Sequence, residues 1–288
     1  MKVLVEEYLY HRGTTIICED GFWPYPPIVG VWDGFSAPYC QTRPPHLFEG
    51  SKTGGRVAKD AILNALANHR ESDAGIEDIV RQANASMRVV WDTAGIPLSD
   101  ASQLGGATFV LAHIQPAEIL CPVEILQGGD CYAVWVEKSG EVGITPNLVR
   151  PYELNLRKRI AELMNFTDGN RQKMWELFYP ALCASRQTGT NTKDGYAVLN
   201  GQPAVSNWWR KVTLPAAELS LLLLFSDGLV PFRETEDEAR LAQTVVNLYR
   251  NGGLHEILAW TRCIEEEEAN RFHQTFAEAT ALAIGFSE

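Results

Sequence analysis

Long apolar runs, paired cysteines and an excess of positive charge are all missing from this chain of 288 residues. The strongest apolar run, "LSLLLLF", is far shorter than the roughly 20 residues needed to cross a bilayer as a helix. Six cysteines, Cys18, Cys40, Cys121, Cys131, Cys183 and Cys263, lie far apart with no Cys-x-x-Cys pair. They signal neither a zinc site nor a disulfide framework and read as reduced, mostly buried small apolar residues. Lys and Arg number 25 against 36 Asp and Glu, for a formal charge of -11. That balance disfavours nucleic acid and anionic membranes, both polyanions, and suits divalent cations. There is no Gly-x-Ser-x-Gly elbow, no Walker loop and no Gly-x-Gly-x-x-Gly after a strand, so serine hydrolase, nucleoside triphosphatase and dinucleotide oxidoreductase readings have no support. No basic segment followed by an apolar one opens the chain, so no signal peptide is visible and a cytosolic protein is expected. Repeats, low-complexity tracts and Gly/Ser linkers are also absent, which favours a single domain over 1–288.

With 45% hydrophobic and 21% charged residues, the chain has the make-up of a folded globular protein. Strand-like segments come first: "KVLVEEYLY", "GTTIICED" and "PPIVGVWD", with the Pro-rich "WPYPP" as a loop between the last two. The stretch 50–67 places Val57, Ala58, Ala61, Ile62, Ala65 and Leu66 on one helical face, and 76–90 repeats the pattern with Ile76, Ile79, Val80, Ala83, Met87 and Val90. Strands return in "ATFVLAHI", "CPVEILQG" and "CYAVWVEKSGEVGIT", too close together for parallel crossovers and therefore antiparallel. A helix is expected over 152–170 and a loop-rich insertion over 171–210. A buried strand, "LSLLLLF", follows, then two helices, one closing at "NGG", and a last strand, "ATALAIGF". Each helix pair must bury its stripe on a sheet face. The expected fold is α+β, a four-layer α-β-β-α sandwich of two antiparallel sheets flanked by helices.

Three strand ends carry carboxylates: Glu19 and Asp20 in "ICED", Asp33 in "GVWDG" and Asp227 in "LLFSDG". Asp-Gly is a common turn dipeptide, and each corner alone reads as a turn. Converging, they would build a negative patch that is unstable without cations. Oxygen ligands with no His or Cys among them select hard ions such as magnesium or manganese.

In order along the chain, these motifs resemble those of the type 2C family of metal-dependent protein serine/threonine phosphatases. "CEDGF" resembles its Asn-Glu-Asp-Ala stretch, "VGVWDGFS" its strand ending in Asp-Gly, and "GGATFVLAHI" its Gly-Ser-Thr strand. "GGDCYAVWVEKSGEV" resembles its Gly-Asp-Ser-Arg hairpin, "LLLLFSDGL" its Ser-Asp-Gly strand and "EATALAIGF" its closing Asp-Asn-x-Thr strand. The resemblance implies the same sandwich, a phosphoprotein substrate and two Mg2+ or Mn2+ ions. It implies that Asp33 bridges the ions, that Glu19, with Asp20 beside it, and the Gly34 carbonyl help hold one, and that Asp227 holds the other. A water between the ions would attack phosphorus in line. Asp130, in the hairpin, is expected to be structural.

Several positions depart from the family pattern. Aligning on Thr280 puts Ala277 where the closing strand carries its metal-binding Asp, and Glu278, next door, points to the opposite face unless the backbone bulges. Thr15 stands where many members have a phosphate-binding Arg, with Arg12 nearby as a possible replacement; Gln103 stands where bacterial members place an Asp for a third ion. Phe35 follows Asp-Gly where eukaryotic members carry His, which leans toward bacterial relatives. No histidine falls at a position the family uses, although His273 is near the closing strand. The glutamates 265–268 read as a solvated helix face. Trp208 and Trp209 read as core packing or as a partner surface. Two functional readings follow: a metal-dependent phosphatase, and a pseudophosphatase serving as a binding or regulatory module on the same fold.

Overall fold

Side chains alternate across a strand, so a strand buried on both faces divides its apolar residues between two cores. The computed structural model describes residues 2–70, 74–115, 122–272 and 276–287, with side chains for all of these but 268–272. Two five-stranded antiparallel sheets are built on this division. One joins β1 (Lys2–His11), β10 (Ala279–Ser287), β9 (Leu219–Phe225), β6 (Tyr132–Glu137) and β7 (Val142–Ile144), in that order. The other joins β2 (Gly21–Trp23), β3 (Ile28–Phe35), β4 (Gly106–His113), β5 (Pro122–Gly128) and β8 (Arg210–Pro215).

Val29 and Val31 of β3, Leu222 and Leu224 of β9, and Leu282 and Ile284 of β10 share the core between the sheets. The residues between them face outward onto helices. Trp32 joins α1 (Gly54–Asn68) and α2 (Ile76–Thr93) on one side of the sandwich. Leu223 and Phe225, with Ala281 and Ala283, join α5 (Glu238–Phe272) on the other. The order helix, sheet, sheet, helix is the one the periodicity predicts. A further helical hairpin, α3 (Arg150–Phe166) and α4 (Arg171–Gly189), lies outside these layers with a small core of its own around Leu163, Met174 and Phe178. Among the described residues no helix is long and apolar enough to cross a membrane.

Three segments differ from the sequence expectation. "GTTIICED" is not a strand: Gly13 takes a left-handed φ of +64°, and Arg12 spends its guanidinium on the carbonyls of Thr15 (2.6 Å) and Ile16 (3.0 Å). Within the supposed insertion 171–210, residues 171–189 are helix α4, started by Asn170, whose side chain accepts from the Lys173 N–H at 3.0 Å. Its stripe of Met174 and Phe178 is interrupted by Pro180, which reads as a breaker in sequence. Edge strand β8 carries too few buried residues to announce itself, with only Leu214 buried. The run 238–272 is broken at Gly252 and Gly253, where two separate helices are expected.

Candidate metal centre

Strand β3 does not turn at Asp33. It continues through Asp33, opposite Thr108, and Gly34, opposite Ala107, before ending at Phe35. Gly34 is needed for close approach: a Cβ there would lie 2.6 Å from the Glu19 carbonyl oxygen. Asp33 therefore leaves the end of one sheet, while Asp227 begins a single 3-10 turn just past β9 in the other. Asp20 lies on the crossing from β1 to β2, and Asp130 on the crossing from β5 to β6, after Gly129 with φ of +82°. Four crossings and strand ends thus meet at one end of the sandwich.

Asp20 is 1% exposed, and its Oδ2 accepts from the hydroxyls of Ser226 (3.0 Å) and Thr280 (3.2 Å). The charges of Asp20 and Asp227 both bear on the Asp33 carboxyl. Like charges gathered this closely favour keeping a proton in the group when no cation offsets them. Burial, then the charges of Asp20 and Asp227, hold the Asp33 carboxyl well above the ordinary carboxylate range. Burial and the charge of Asp20 push Asp227 up to about 6, and burial leads the rise of Asp20 to about 6.

The structure brings two further carboxylates to this point. Oxygens of Asp130, Glu153 and Asp227 lie within 4.8 Å of one another. Burial and the charge of Asp227 raise Asp130 to about 7; burial and the charges of Asp130 and Asp227 raise Glu153 to about 8. Asp130, expected from sequence to be structural, has its carboxylate in this acidic cluster. Glu153 was not legible: an acid in the first turn of α3 is what any helix favours there.

Glu19 stands apart from the cluster. Its carboxylate accepts from the Thr53 hydroxyl and from Ser36 Oγ at 2.9 Å and lies against Gly55, at the N-terminus of α1. Of the expected site residues, then, Asp20, Asp33 and Asp227 converge; Gly34 lies against Glu19, which faces the helix end. Glu278 is committed elsewhere: its Oε2 accepts from the Glu19 and Asp20 N–H groups (2.7 and 3.4 Å), and its Oε1 from the Tyr10 hydroxyl (2.6 Å). It fixes the backbone behind the site and does not substitute for Ala277. Ala277 lines a cavity of about 90 Å³ beside Asp227, Gly228 and Glu153. Thr15 and Arg12 hold each other in the loop after β1, and Gln103 donates to Asp100 at 2.7 Å, so neither Arg12 nor Gln103 serves the cluster.

A second cavity, of about 230 Å³, is lined by Asp33, Asp130, Glu153 and Asp227 together with Arg186 of α4. The Arg186 guanidinium lies over the Phe35 ring, 3.9 Å from its centroid, and its charge is felt by Asp130. Trp208 and Trp209 pack against the α1/α2 core, and Glu266 and Glu267 are exposed on α5. His273, Cys121 and the side chain of Glu268 lie outside the described residues.

The donor set is oxygen alone, and Asp130 Oδ1 is buried with no hydrogen-bond partner among the described residues. Both features fit a hard divalent cation.

No protein-family model matches the chain, and no curated protein matches it by sequence. Solved structures do match. A bacterial serine phosphatase aligns over 99% of this chain and 98% of its own, with a TM-score of 0.54 and 14% identity. The serine/threonine phosphatase Stp1 from Staphylococcus aureus aligns over 100% and 97%, also with a TM-score of 0.54 and 14% identity. The serine-threonine phosphatase 2C from Toxoplasma gondii aligns over 97% and 94%, with a TM-score of 0.51 and 14% identity. The chain shares the fold of the type 2C serine/threonine phosphatases, as its motif order implies.

Proposed function

We propose that this protein is a metal-dependent phosphomonoester hydrolase acting on phosphoserine and phosphothreonine in proteins, with Mg2+ or Mn2+ as its ions. The observation that carries this reading is the meeting of Asp20, Asp33 and Asp227 at one end of a phosphatase-type sandwich, in a group whose charges oppose one another. Asp33, whose carboxyl lies under the charges of both other aspartates, would hold the ions together with them. Asp227 would hold one of them, and Asp20 and the Gly34 carbonyl would serve the other, with Glu19 supporting the same segment from the α1 end. Bound there, divalent ions supply Lewis acidity, lowering the pKa of a water and offsetting charge on the phosphoryl oxygens. Arg186, which lines the same cavity as the carboxylates, is a cation available to orient a phosphate, in place of the arginine absent at Thr15. Its stacking on Phe35 limits the freedom lost on engaging the substrate.

The test is hydrolysis of p-nitrophenyl phosphate and of a phosphothreonine peptide with manganese. Turnover should vanish with chelator and in Asp33→Ala, while Arg186→Ala should raise KM more than it lowers kcat. A specific observation, the alanine at 277, favours the second reading, a binding module. It would be adopted if the folded protein hydrolysed neither substrate at millimolar manganese.

A further inference from the structure

A missing ligand in one wall of a site can be supplied from another wall if the cavity is small and a helix is aimed across it. We infer that Glu153, carried in by the first turn of α3, is the carboxylate that stands in for the one absent at Ala277, completing a divalent-cation site with Asp130 and Asp227. The inference rests on the metal-dependent reading above.

Ala277, Asp227 and Glu153 line the same cavity of about 90 Å³, so the alanine and the glutamate face one space. Oxygens of Asp130, Glu153 and Asp227 lie within 4.8 Å of one another. Three oxygens no more than 4.8 Å apart share a centre at most about 2.8 Å from each, against bonds of about 2.0 to 2.6 Å to hard divalent cations, so a shift of under about 1 Å brings all three onto one ion. Asp130 is only 7% exposed, and its buried Oδ1 lacks the partner that a buried acceptor normally has.

The carboxylate of Glu153 has no hydrogen bond or ion pair among the described residues, although two arginines of its own helix are near. Both are engaged: Arg157 lies over the Phe232 ring, 3.7 Å from its centroid, and Arg150 donates to the Thr235 hydroxyl. The start of α3 is also fixed. Asn147 Oδ1 accepts from the N–H groups of Val149 (2.9 Å) and Arg150 (2.7 Å), while its Nδ2 donates to the Tyr132 hydroxyl at 2.9 Å. Its own N–H donates to Glu238 Oε1 at 2.8 Å. Glu153 is thus set one helical turn from an anchor that ties α3 to β6 and α5.

The experiment is manganese titration of the full chain by calorimetry, with electron paramagnetic resonance counting bound ions. It compares wild type, Glu153→Gln, Ala277→Asp and the double variant, each checked for folding by circular dichroism in chelator. Glu153→Gln should weaken one manganese site about tenfold or more, and adding Ala277→Asp should restore it. Wild-type affinity in Glu153→Gln overturns the inference and leaves the phosphatase reading standing; loss without rescue overturns the stand-in role. Absence of manganese binding by the wild type overturns both. If Glu153→Gln does not fold, Asp130→Asn tests the same site, and unchanged affinity there overturns the inference.

Discussion

In the metal-free protein the half-buried Asp33 carboxyl lies under the charges of two other aspartates. Asparagine keeps the shape and removes the ionisation. Asp33→Asn is therefore expected to eliminate manganese-dependent stabilisation and, in chelator at pH 8, to raise stability by about 1 kcal/mol, a Tm gain of roughly 2–4 °C. Scanning calorimetry with and without manganese checks both signs together. A loss of Tm in chelator would mean that the carboxylate is structural in its own right. Sequence marked Asp33 because an acid ending an apolar strand is unusual. It could not separate Glu19 from Asp20, since adjacent acids differ only in direction, and that was settled by Thr53 and Ser36 on one side and Ser226 and Thr280 on the other.

The elements around the centre show where periodicity works and where it fails. The break in α5 was readable as "NGG", and its geometry explains the glycines. Gly253 has φ of +73°, and a Cβ there would sit 2.5 Å from Glu7 Oε2, the oxygen that accepts from the Leu254 N–H at 2.9 Å. A carboxylate from β1 thus caps the second half of the helix. Gly253→Ala should cost about 1–3 kcal/mol, from left-handed backbone strain and displacement of that cap. Urea unfolding would register it as a lower midpoint at unchanged slope; a shift within error would show that the helix tolerates another break. Helix α4 was missed because Pro180 interrupts its stripe and Gly, Asn and Thr crowd its end, yet Phe178 and Met174 are buried against Leu163 of α3. A two-helix hairpin with its own small core leaves little trace on sheet-facing patterns, and it is this hairpin that delivers Glu153 and Arg186.

Taken together, the carboxylates make stability depend on pH in a stated direction. Asp20, Asp227, Asp130 and Glu153 have folded values of about 6, 6, 7 and 8, above the roughly 4 expected unfolded. Groups raised on folding contribute stability that is fully present below the unfolded value and is lost as pH rises through the folded one. Asp100, lowered to about 2 by hydrogen bonds from Gln187, Ser102 and Gln103, acts in the opposite sense only below about pH 4. The metal-free protein should therefore lose Tm between pH 5 and pH 8. Because a cation binds the deprotonated ligands, manganese should stabilise more at pH 8 than at pH 5. Thermal melts in chelator and in saturating manganese, at matched ionic strength, measure both. A metal-free Tm flat across this range would mean that the carboxylates are far better solvated than their burial implies.

The strands, the α1/α2 pair, the layer order and the acid-bearing strand ends could all be read from the chain. Burial imposes periods of two and 3.6 residues on local sequence, and these report the faces each element must hide. Which ends would meet was another matter. Asp130 and Glu153 reach Asp227 only because β5 crosses to β6 between the sheets and α3 is pinned at Asn147. Sheet order and helix placement are set by packing between distant segments, and the direction of a side chain into a shared cavity leaves no mark on its neighbours in sequence.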